Sequence, residues 1–179
     1  MPHRPNQPLQ NTSRARAPLY TPAERARRDA SKWTLVQGVL APLQFLVFAV
    51  SVALVLRFLS TDEGFFAATV SILVKTVVLY AIMVTGAIWE HDVFGRYLFA
   101  PAFYWEDVVS IAVLALHTAY LYALFTGALD PRQQMYLALA AYTTYLVNAT
   151  QFLLKLRAAR LDAPLRQPVQ MAGSMKYAK

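Results

Sequence analysis

The sequence predicts an all-α integral membrane protein, a bundle of four transmembrane helices preceded by an amphipathic helix. Of its 179 residues, 57% are hydrophobic, which is more apolar side chain than a soluble domain of this size can bury. The apolar residues fall into four stretches, each near the ~20 residues that cross ~30 Å of hydrocarbon. These stretches are residues 35–59, 65–89, 108–125 and 135–154.

The N-terminal segment divides into a polar tail and a short helix. The tail mixes polar residues and proline without apolar periodicity, so we expect it to be disordered. Thr21, Pro22 and Glu24 then form a capping box with proline at the first helical position. The basic helix that follows should lie on the membrane surface. The predicted domains are the tail (1–20), the interfacial helix (21–33), the transmembrane domain (34–155) and a basic C-terminal tail (156–179).

The formal charge of +7 lies mostly at the two ends of the chain. The positive-inside rule therefore places both termini in the cytoplasm, and the even number of spans agrees with this. The loop over 90–107 then returns to the cytoplasm. Because the charge reports topology, we expect the lipid bilayer as partner and no nucleic acid. The basic residues are Arg4, Arg14, Arg16, Arg25, Arg27, Arg28 and Lys32 before the first span, and Lys155, Arg157, Arg160, Arg166, Lys176 and Lys179 after the last.

The chain offers few ligands for a metal of its own. It has no cysteine, which excludes thiolate metal sites, iron–sulfur clusters and a cysteine nucleophile within it. His117 lies at mid-span, far along the sequence from the other His and the carboxylates. This spacing argues against a zinc or di-iron site built from protein ligands alone.

Each predicted span carries polar residues along one face. An ionisable group in hydrocarbon costs roughly 2.5 to 3.5 kcal/mol, so each needs a partner or a function. Lys75 and His117 lie near the predicted midplane, and Gln44 and Asn148 lie in the cytoplasmic half. These four are candidate substrate-binding residues, and their distribution predicts a polar cavity open to the cytoplasmic interface.

Structural roles compete with binding for these residues. Gln and Asn on facing helices commonly form interhelical hydrogen bonds. Lys75 fits an ion-pair partner, a side chain that snorkels outward, a substrate contact or a Schiff base. His117 fits a structural histidine or an axial ligand to the metal of a planar macrocycle. The sequence leaves these alternatives open.

Carboxylates and aromatic residues cluster in the loop over 90–107. Glu90, Glu106 and Asp107 are candidate catalytic residues, although solvated loop charges or helix N-terminal charges explain them equally well. Tyr97 and Trp105 belong to an aromatic set that either covers a flat apolar ligand or forms an interfacial belt.

Several longer motifs lie along the predicted spans and the loop between the second and third. They are WTLVQG at 33–38, APLQF at 41–45, MVTG at 83–86, WE at 89–90, VFGRYLFAPAF at 93–103, WED at 105–107 and HTAY at 117–120. These motifs resemble the 3-vinyl bacteriochlorophyllide (chlorophyllide) hydratase family of bacteriochlorophyll biosynthesis. The resemblance covers roughly residues 20–160, and its long loop motif makes it specific.

The resemblance implies a hydro-lyase in the inner (cytoplasmic or intracytoplasmic) membrane of a phototrophic bacterium. The enzyme would add water to the 3-vinyl group of a (bacterio)chlorophyllide and give a 3-(1-hydroxyethyl) group. No cofactor is implied, because the substrate carries its own Mg, for which His117 is a candidate axial ligand. Other enzymes of bacteriochlorophyll synthesis are expected partners.

Vinyl hydration needs an acid to protonate the terminal carbon and a base to deprotonate the attacking water. Glu90 and Glu106 flank the loop, and we expect them to converge and share these roles. The competing interpretation is a non-catalytic chlorophyll-binding or photosystem assembly protein with His117 as pigment ligand. A small transporter lacks support from an inverted repeat or a pair of broken helices.

Overall fold

The computed structural model describes residues 19–162, and these form five α-helices. The predicted tail covers residues 1–20, of which 1–18 lie outside the described residues, as does most of the predicted C-terminal tail. The described helices are α1 (Pro22–Ala30), α2 (Lys32–Thr61), α3 (Phe65–Phe94), α4 (Tyr104–Thr126) and α5 (Pro131–Asp162).

The predicted capping box is confirmed at the start of α1. The Thr21 N–H donates to the Glu24 carboxylate over 2.7 Å, and the Glu24 N–H donates to the Thr21 hydroxyl over 3.2 Å. The helix ends at Ala30, earlier than the predicted residue 33, because Ser31 is extended. The Ser31 hydroxyl then accepts from the Trp33 N–H and caps α2.

Each of the four predicted spans lies inside one of the long helices, which extend beyond it at one or both ends. Three of these helices, α2, α3 and α4, are long and apolar enough to cross a membrane. The fourth, α5, is also long but carries more polar residues, among them Thr144, Asn148 and Gln151. Many large apolar side chains on the outer faces are exposed, including Leu35, Phe66 and Phe125. A surface of this kind is typical of a protein that faces lipid.

The long helices pack as two antiparallel hairpins, α2 with α3 and α4 with α5. The hairpins meet where α3 contacts α4 and α5 contacts α2, so the four helices enclose one core. Apolar residues from all four helices fill it, including Phe48, Ile72, Val113 and Tyr142. The short helix α1 packs against α3.

An ion pair joins the two hairpin turns. The Arg132 guanidinium donates to both carboxylate oxygens of Asp62 over 3.0 and 2.8 Å. These hydrogen bonds lower the pKa of the exposed Asp62 carboxyl. The α2–α3 and α4–α5 turns therefore lie at the same end of the molecule, opposite the loop between α3 and α4.

Candidate active site

Three carboxyl groups are buried at the end of the molecule that holds the loop between α3 and α4. Glu90, Glu106 and Asp107 are 3%, 6% and 8% exposed. The interpretation of all three as solvated loop charges is therefore wrong. Glu90 lies near the end of α3, and the other two lie in the first turn of α4. Their burial requires partners, which the loop and α5 supply.

Two consecutive loop amides hold Glu90 and Asp107. The Ala100 N–H donates to Glu90 Oε1 over 2.9 Å, and the Phe99 N–H donates to Asp107 Oδ2 over 2.7 Å. Because these two amides are consecutive, the two carboxyl groups that they bind lie close together. Two carboxylates at this range repel when both are ionised, so such a pair tends to hold one proton.

The loop reaches this position through a left-handed residue. Phe99 has a φ of 60°, a conformation that costs a non-glycine residue about 1 to 2 kcal/mol. The amides of Phe99 and Ala100 are the groups that bind the carboxylates. The carboxyl groups therefore help to hold the loop in its strained conformation.

Glu106 has a different partner from the one expected. Lys155 Nζ lies 2.5 Å from Glu106 Oε2 and also donates to the Ala102 carbonyl. The expected Glu90–Glu106 pair is therefore replaced by two contacts, Glu90 with Asp107 and Glu106 with Lys155. In the sequence, Lys155 lies on the same face of α5 as Asn148, but its partner could not be identified there.

Aromatic side chains pack beside the carboxyl groups. Phe103 stacks on Phe152 and contacts Trp89, Phe94 and Tyr20. Burial in this cluster raises the pKa of the Tyr20 hydroxyl. These aromatic rings form an apolar wall at the site.

The two aromatic candidates for substrate binding lie outside this wall. Trp105 is 68% exposed and Tyr97 is 60% exposed. Tyr97 stacks on His91 with 4.3 Å between ring centroids, and Trp105 contacts Tyr104. The structure therefore brings neither residue to the buried carboxyl groups.

A second polar group lies deeper, between the helices. Gln44, Lys75 and His117 are 2%, 0% and 1% exposed. Lys75 therefore does not snorkel outward, and it forms no ion pair within residues 19–162. Its Nζ lies 4.0 Å from the centroid of the Tyr145 ring. Of the four roles considered for Lys75, substrate contact and a Schiff base remain open.

His117 has one satisfied nitrogen and one free nitrogen. Its Nδ1 lies 2.8 Å from the Val113 carbonyl, which can only accept, so Nδ1 carries the hydrogen. In a neutral ring, Nε2 is then an acceptor, and it has no hydrogen-bond partner in the described part of the chain. A histidine that donates one N–H to a backbone carbonyl and offers the other nitrogen is arranged as metal ligands are.

Other polar residues of the interior act partly as interhelical contacts. Asn148 donates to the Ser110 hydroxyl over 2.8 Å and joins α5 to α4. Ser51 of α2 hydrogen-bonds to Tyr142 of α5 over 2.6 Å. The amide groups of Gln44 and the Asn148 carbonyl nevertheless lack partners among residues 19–162. These unpaired atoms are inaccessible to solvent, so the expected cavity open to the cytoplasm does not extend to them within residues 19–162.

A protein-family model matches most of the chain, including the buried carboxyl groups and His117. A model of the family described as "2-vinyl bacteriochlorophyllide hydratase (BCHF)" matches residues 20–158. This chain belongs to that family. The family resemblance recognised from the motifs is thereby confirmed, over nearly the same residues.

Two curated members of the family are close relatives, and both are named 2-vinyl bacteriochlorophyllide hydratase. The protein from Rhodobacter capsulatus is 69% identical over 159 residues, which is 89% of this chain and 91% of the relative. The protein from Cereibacter sphaeroides is 69% identical over 150 residues, which is 83% of this chain and 92% of the relative. No solved structure gives a significant match to the chain.

The three buried carboxyl groups all lie at the same end of the molecule. Within residues 19–162, no group of three or more His, Cys, Asp or Glu side chains is arranged to hold a metal ion. An open cleft of about 670 Å³ lies at the opposite end, next to the ion pair of Asp62 and Arg132. It is distant from the buried carboxyl groups, and we assign no chemistry to it.

Proposed function

We propose that this chain is a hydro-lyase of bacteriochlorophyll biosynthesis that adds water to the vinyl group of a (bacterio)chlorophyllide. The family description calls this substituent the 2-vinyl group, and the 3-vinyl group named under the sequence resemblance is the same substituent. The observation that carries the mechanism is the buried set of three carboxyl groups with a single lysine, Lys155. One carboxylate has a counterion, and the other two face each other.

The reaction needs one proton donor and one proton acceptor. A carboxylic acid donates its proton to the terminal vinyl carbon, and the π electrons form the new C–H bond. The cation left on the inner carbon is delocalised into the macrocycle. Water attacks this carbon, and its proton passes to a carboxylate, which gives the 1-hydroxyethyl product. The sum is substrate plus water without a change in redox state, so no redox cofactor is required.

We assign the acid to Glu90. It lies near the C-terminus of α3, where the helix dipole disfavours a carboxylate, whereas Asp107 lies at the N-terminus of α4, where the dipole favours one. The shared proton therefore belongs mainly on Glu90, with Asp107 as its acceptor. Glu106, whose negative charge Lys155 balances, is the base that accepts the proton from water.

We assign His117 as the axial ligand of the substrate Mg. Its free Nε2 supports this role. His117 lies ten residues beyond Asp107 on α4, about 15 Å along the helix, and its side chain leans back toward the N-terminus of α4. A macrocycle on His117 can thus direct its edge toward the carboxyl groups.

The remaining candidates for substrate binding lie in two places. Gln44 and Asn148 have unpaired buried amide atoms that can hydrogen-bond to polar groups on the substrate periphery. Tyr97 and Trp105 lie exposed near the loop and can contact the ring as it approaches from the interface. Substrate binding then requires the two helical hairpins to separate from their closed arrangement.

We infer that all four long helices cross the membrane, with both termini in the cytoplasm. The contact between Lys155 and Glu106 supports this, because it places the end of α5 beside the start of α4. The outer surface of α5 is also apolar, with Val147, Leu153 and Leu154 exposed. The membrane would be the cytoplasmic or intracytoplasmic membrane of a phototrophic bacterium. Other enzymes of the pathway can then exchange substrate there.

The test is to incubate membranes that contain this chain alone with a vinyl chlorophyllide in ¹⁸O-labelled water. Hydration predicts a product heavier by one water that carries the solvent oxygen, and in deuterated water one deuterium in the new methyl group. Membranes without the chain are the control. Pigment that binds at fixed stoichiometry and is recovered unchanged would contradict the hydratase and favour a pigment-binding protein.

A further inference from the structure

Lys75 places a buried amino group where residues 19–162 offer it neither a hydrogen bond nor an ion pair. Its side chain is 0% exposed, and its Nζ has no hydrogen-bond partner among residues 19–162. None of the predicted spans over 35–59, 65–89, 108–125 and 135–154 contains an Asp or Glu. An ammonium group at mid-membrane depth costs roughly 2.5 to 3.5 kcal/mol. The chain retains this cost without any counterion of its own in the spans.

The surroundings of Lys75 contain further unpaired groups. The Tyr145 ring lies below Nζ and stabilises the cation through its face. The His117 ring lies 5.9 Å from the Tyr142 ring, between centroids, and Tyr142 lies three residues before Tyr145 on α5. His117 Nε2 and both amide atoms of Gln44 are also buried. None of these atoms has a hydrogen-bond partner in the described part of the chain. Buried polar atoms almost always have hydrogen-bond partners, so these atoms call for a partner from outside the described residues.

We propose that Lys75 binds the free propionate carboxylate of the chlorophyllide. This inference rests on the proposed function, because it identifies a second contact to the same substrate. A chlorophyllide is a free acid, so the carboxylate can supply the missing counterion through a charge-assisted hydrogen bond. Tyr145, which holds Nζ, lies ten residues before Lys155 on α5, a rise of about 15 Å. A macrocycle with its propionate arm is long enough to bridge Lys75 and the carboxyl groups.

This contact would make Lys75 a specificity-determining residue. An esterified pigment has no carboxylate, so binding it leaves the ammonium group buried and unpaired. The enzyme should therefore prefer the free acid and reject pigments that already carry an ester. The contact lies far from the vinyl group, so it should affect binding more than the chemical step.

The experiment compares a vinyl chlorophyllide and its methyl ester as ligands of the full chain in nanodiscs. The wild type should bind the free acid roughly tenfold or more tightly than the ester. Lys75→Met should bind both ligands equally, at about the affinity of the wild type for the ester. Thr76→Val is the control, because Thr76 is equally buried but its hydroxyl already donates to the Ile72 carbonyl. It should retain the preference.

Equal binding of acid and ester by the wild type, or a preference that persists in Lys75→Met, would overturn the inference. Circular dichroism of each variant shows whether its helices have formed. Hydration is scored separately, by product mass with each ligand at saturation. If the acid is preferred but neither ligand is hydrated, the hydratase proposal fails and the Lys75 site stands. If both ligands are hydrated and the wild type binds them equally, the Lys75 site fails and the hydratase proposal stands.

Discussion

Glu90 is the residue on which the proposed acid catalysis depends. Glu90→Gln keeps the shape and the hydrogen bond from Ala100 but removes the transferable proton. We expect the hydration rate to fall by about 10²- to 10⁴-fold, while the dissociation constant of the substrate changes little. Asp92→Asn is the matched control, because Asp92 lies two residues away and is exposed. Rates come from product mass and binding from pigment absorbance.

The two outcomes of this comparison separate catalysis from folding. Asp92→Asn removes a charge but keeps an oxygen that can accept from the Ser31 hydroxyl, so it should hydrate at close to the wild-type rate. A Glu90→Gln variant that binds substrate and still hydrates it at the wild-type rate would remove Glu90 from the mechanism. Asp107 would then be the next candidate for the acid, because it occupies the other half of the pair.

In the proposed mechanism, Lys155 is a positioning residue that acts through Glu106. Lys155→Met leaves the 6% exposed Glu106 without a counterion, which disfavours the charged form that the proposed base needs. We expect most of the hydration rate to be lost at neutral pH, with a pH–rate profile that differs in shape from the wild-type profile. Lys155→Arg keeps the charge and should retain most of the activity. A pH–rate profile of the three proteins makes the comparison.

A structural role alone for Lys155 predicts a different pattern. If Lys155 only anchors α5 to the Ala102 carbonyl, Lys155→Met should lower the unfolding temperature and reduce the rate equally at every pH. A pH–rate profile with the shape of the wild-type profile would therefore contradict the positioning role.

The sequence identified the three carboxyl residues but not their pairing. Glu106 and Asp107 are adjacent, so their side chains point about 100° apart on α4. Which of them faces Glu90 depends on the residue at which α4 begins, and helix termini are poorly determined from sequence. The role of the loop amides could not be predicted either, because it depends on the left-handed conformation of Phe99.

At the scale of elements, the connection from α3 into the loop depends on Gly95. It caps α3 with a φ of 75°, and its N–H donates to the His91 carbonyl over 2.8 Å. Gly95→Ala should destabilise the protein by about 1 kcal/mol and displace the loop that holds Glu90 and Asp107. We expect a lower unfolding temperature in detergent together with a reduced hydration rate.

Gly38 offers a matched control for this substitution. It lies inside α2, and a Cβ added there meets nothing within 4 Å. Gly38→Ala should raise the unfolding temperature slightly, because alanine favours helix over glycine by up to about 1 kcal/mol. If Gly95→Ala behaved like Gly38→Ala, the loop would not depend on the left-handed cap.

The positions of the helices were largely readable from the sequence, whereas their ends were not. Apolar length locates the part of a helix that faces lipid, and each predicted span lies within a helix. The helices continue past the spans because polar side chains and caps stabilise turns beyond the apolar run. On α1 the reverse occurs, since Ser31 ends one helix and caps the next.

At the scale of the whole molecule, ion pairs occur at both ends of the two hairpins. Asp62 pairs with Arg132 between the two turns, and Glu106 pairs with Lys155 beside the loop. Helix α5 therefore extends from one end of the molecule to the other, as its neighbours do. This arrangement predicts that α5 crosses the membrane although its sequence is less apolar.

Cysteine labelling tests this topology directly, because the chain has no cysteine of its own. Single substitutions Glu63→Cys, Ala128→Cys, Arg96→Cys and Arg157→Cys all lie at exposed positions. In intact cells, a membrane-impermeant maleimide should label Glu63→Cys and Ala128→Cys. It should label Arg96→Cys and Arg157→Cys only after the membrane is permeabilised. Catalytic activity of each variant serves as the check on folding.

The position of Arg157 decides between three and four crossings. If α5 crosses, Arg157→Cys must behave like Arg96→Cys, because both lie at the loop end of the molecule. If α5 remains on the outer side, Arg157→Cys must label like Ala128→Cys in intact cells. The second result would also separate Lys155 from Glu106 by the thickness of the membrane. It would therefore remove the counterion on which the proposed base depends, so the topology and the mechanism stand or fall together.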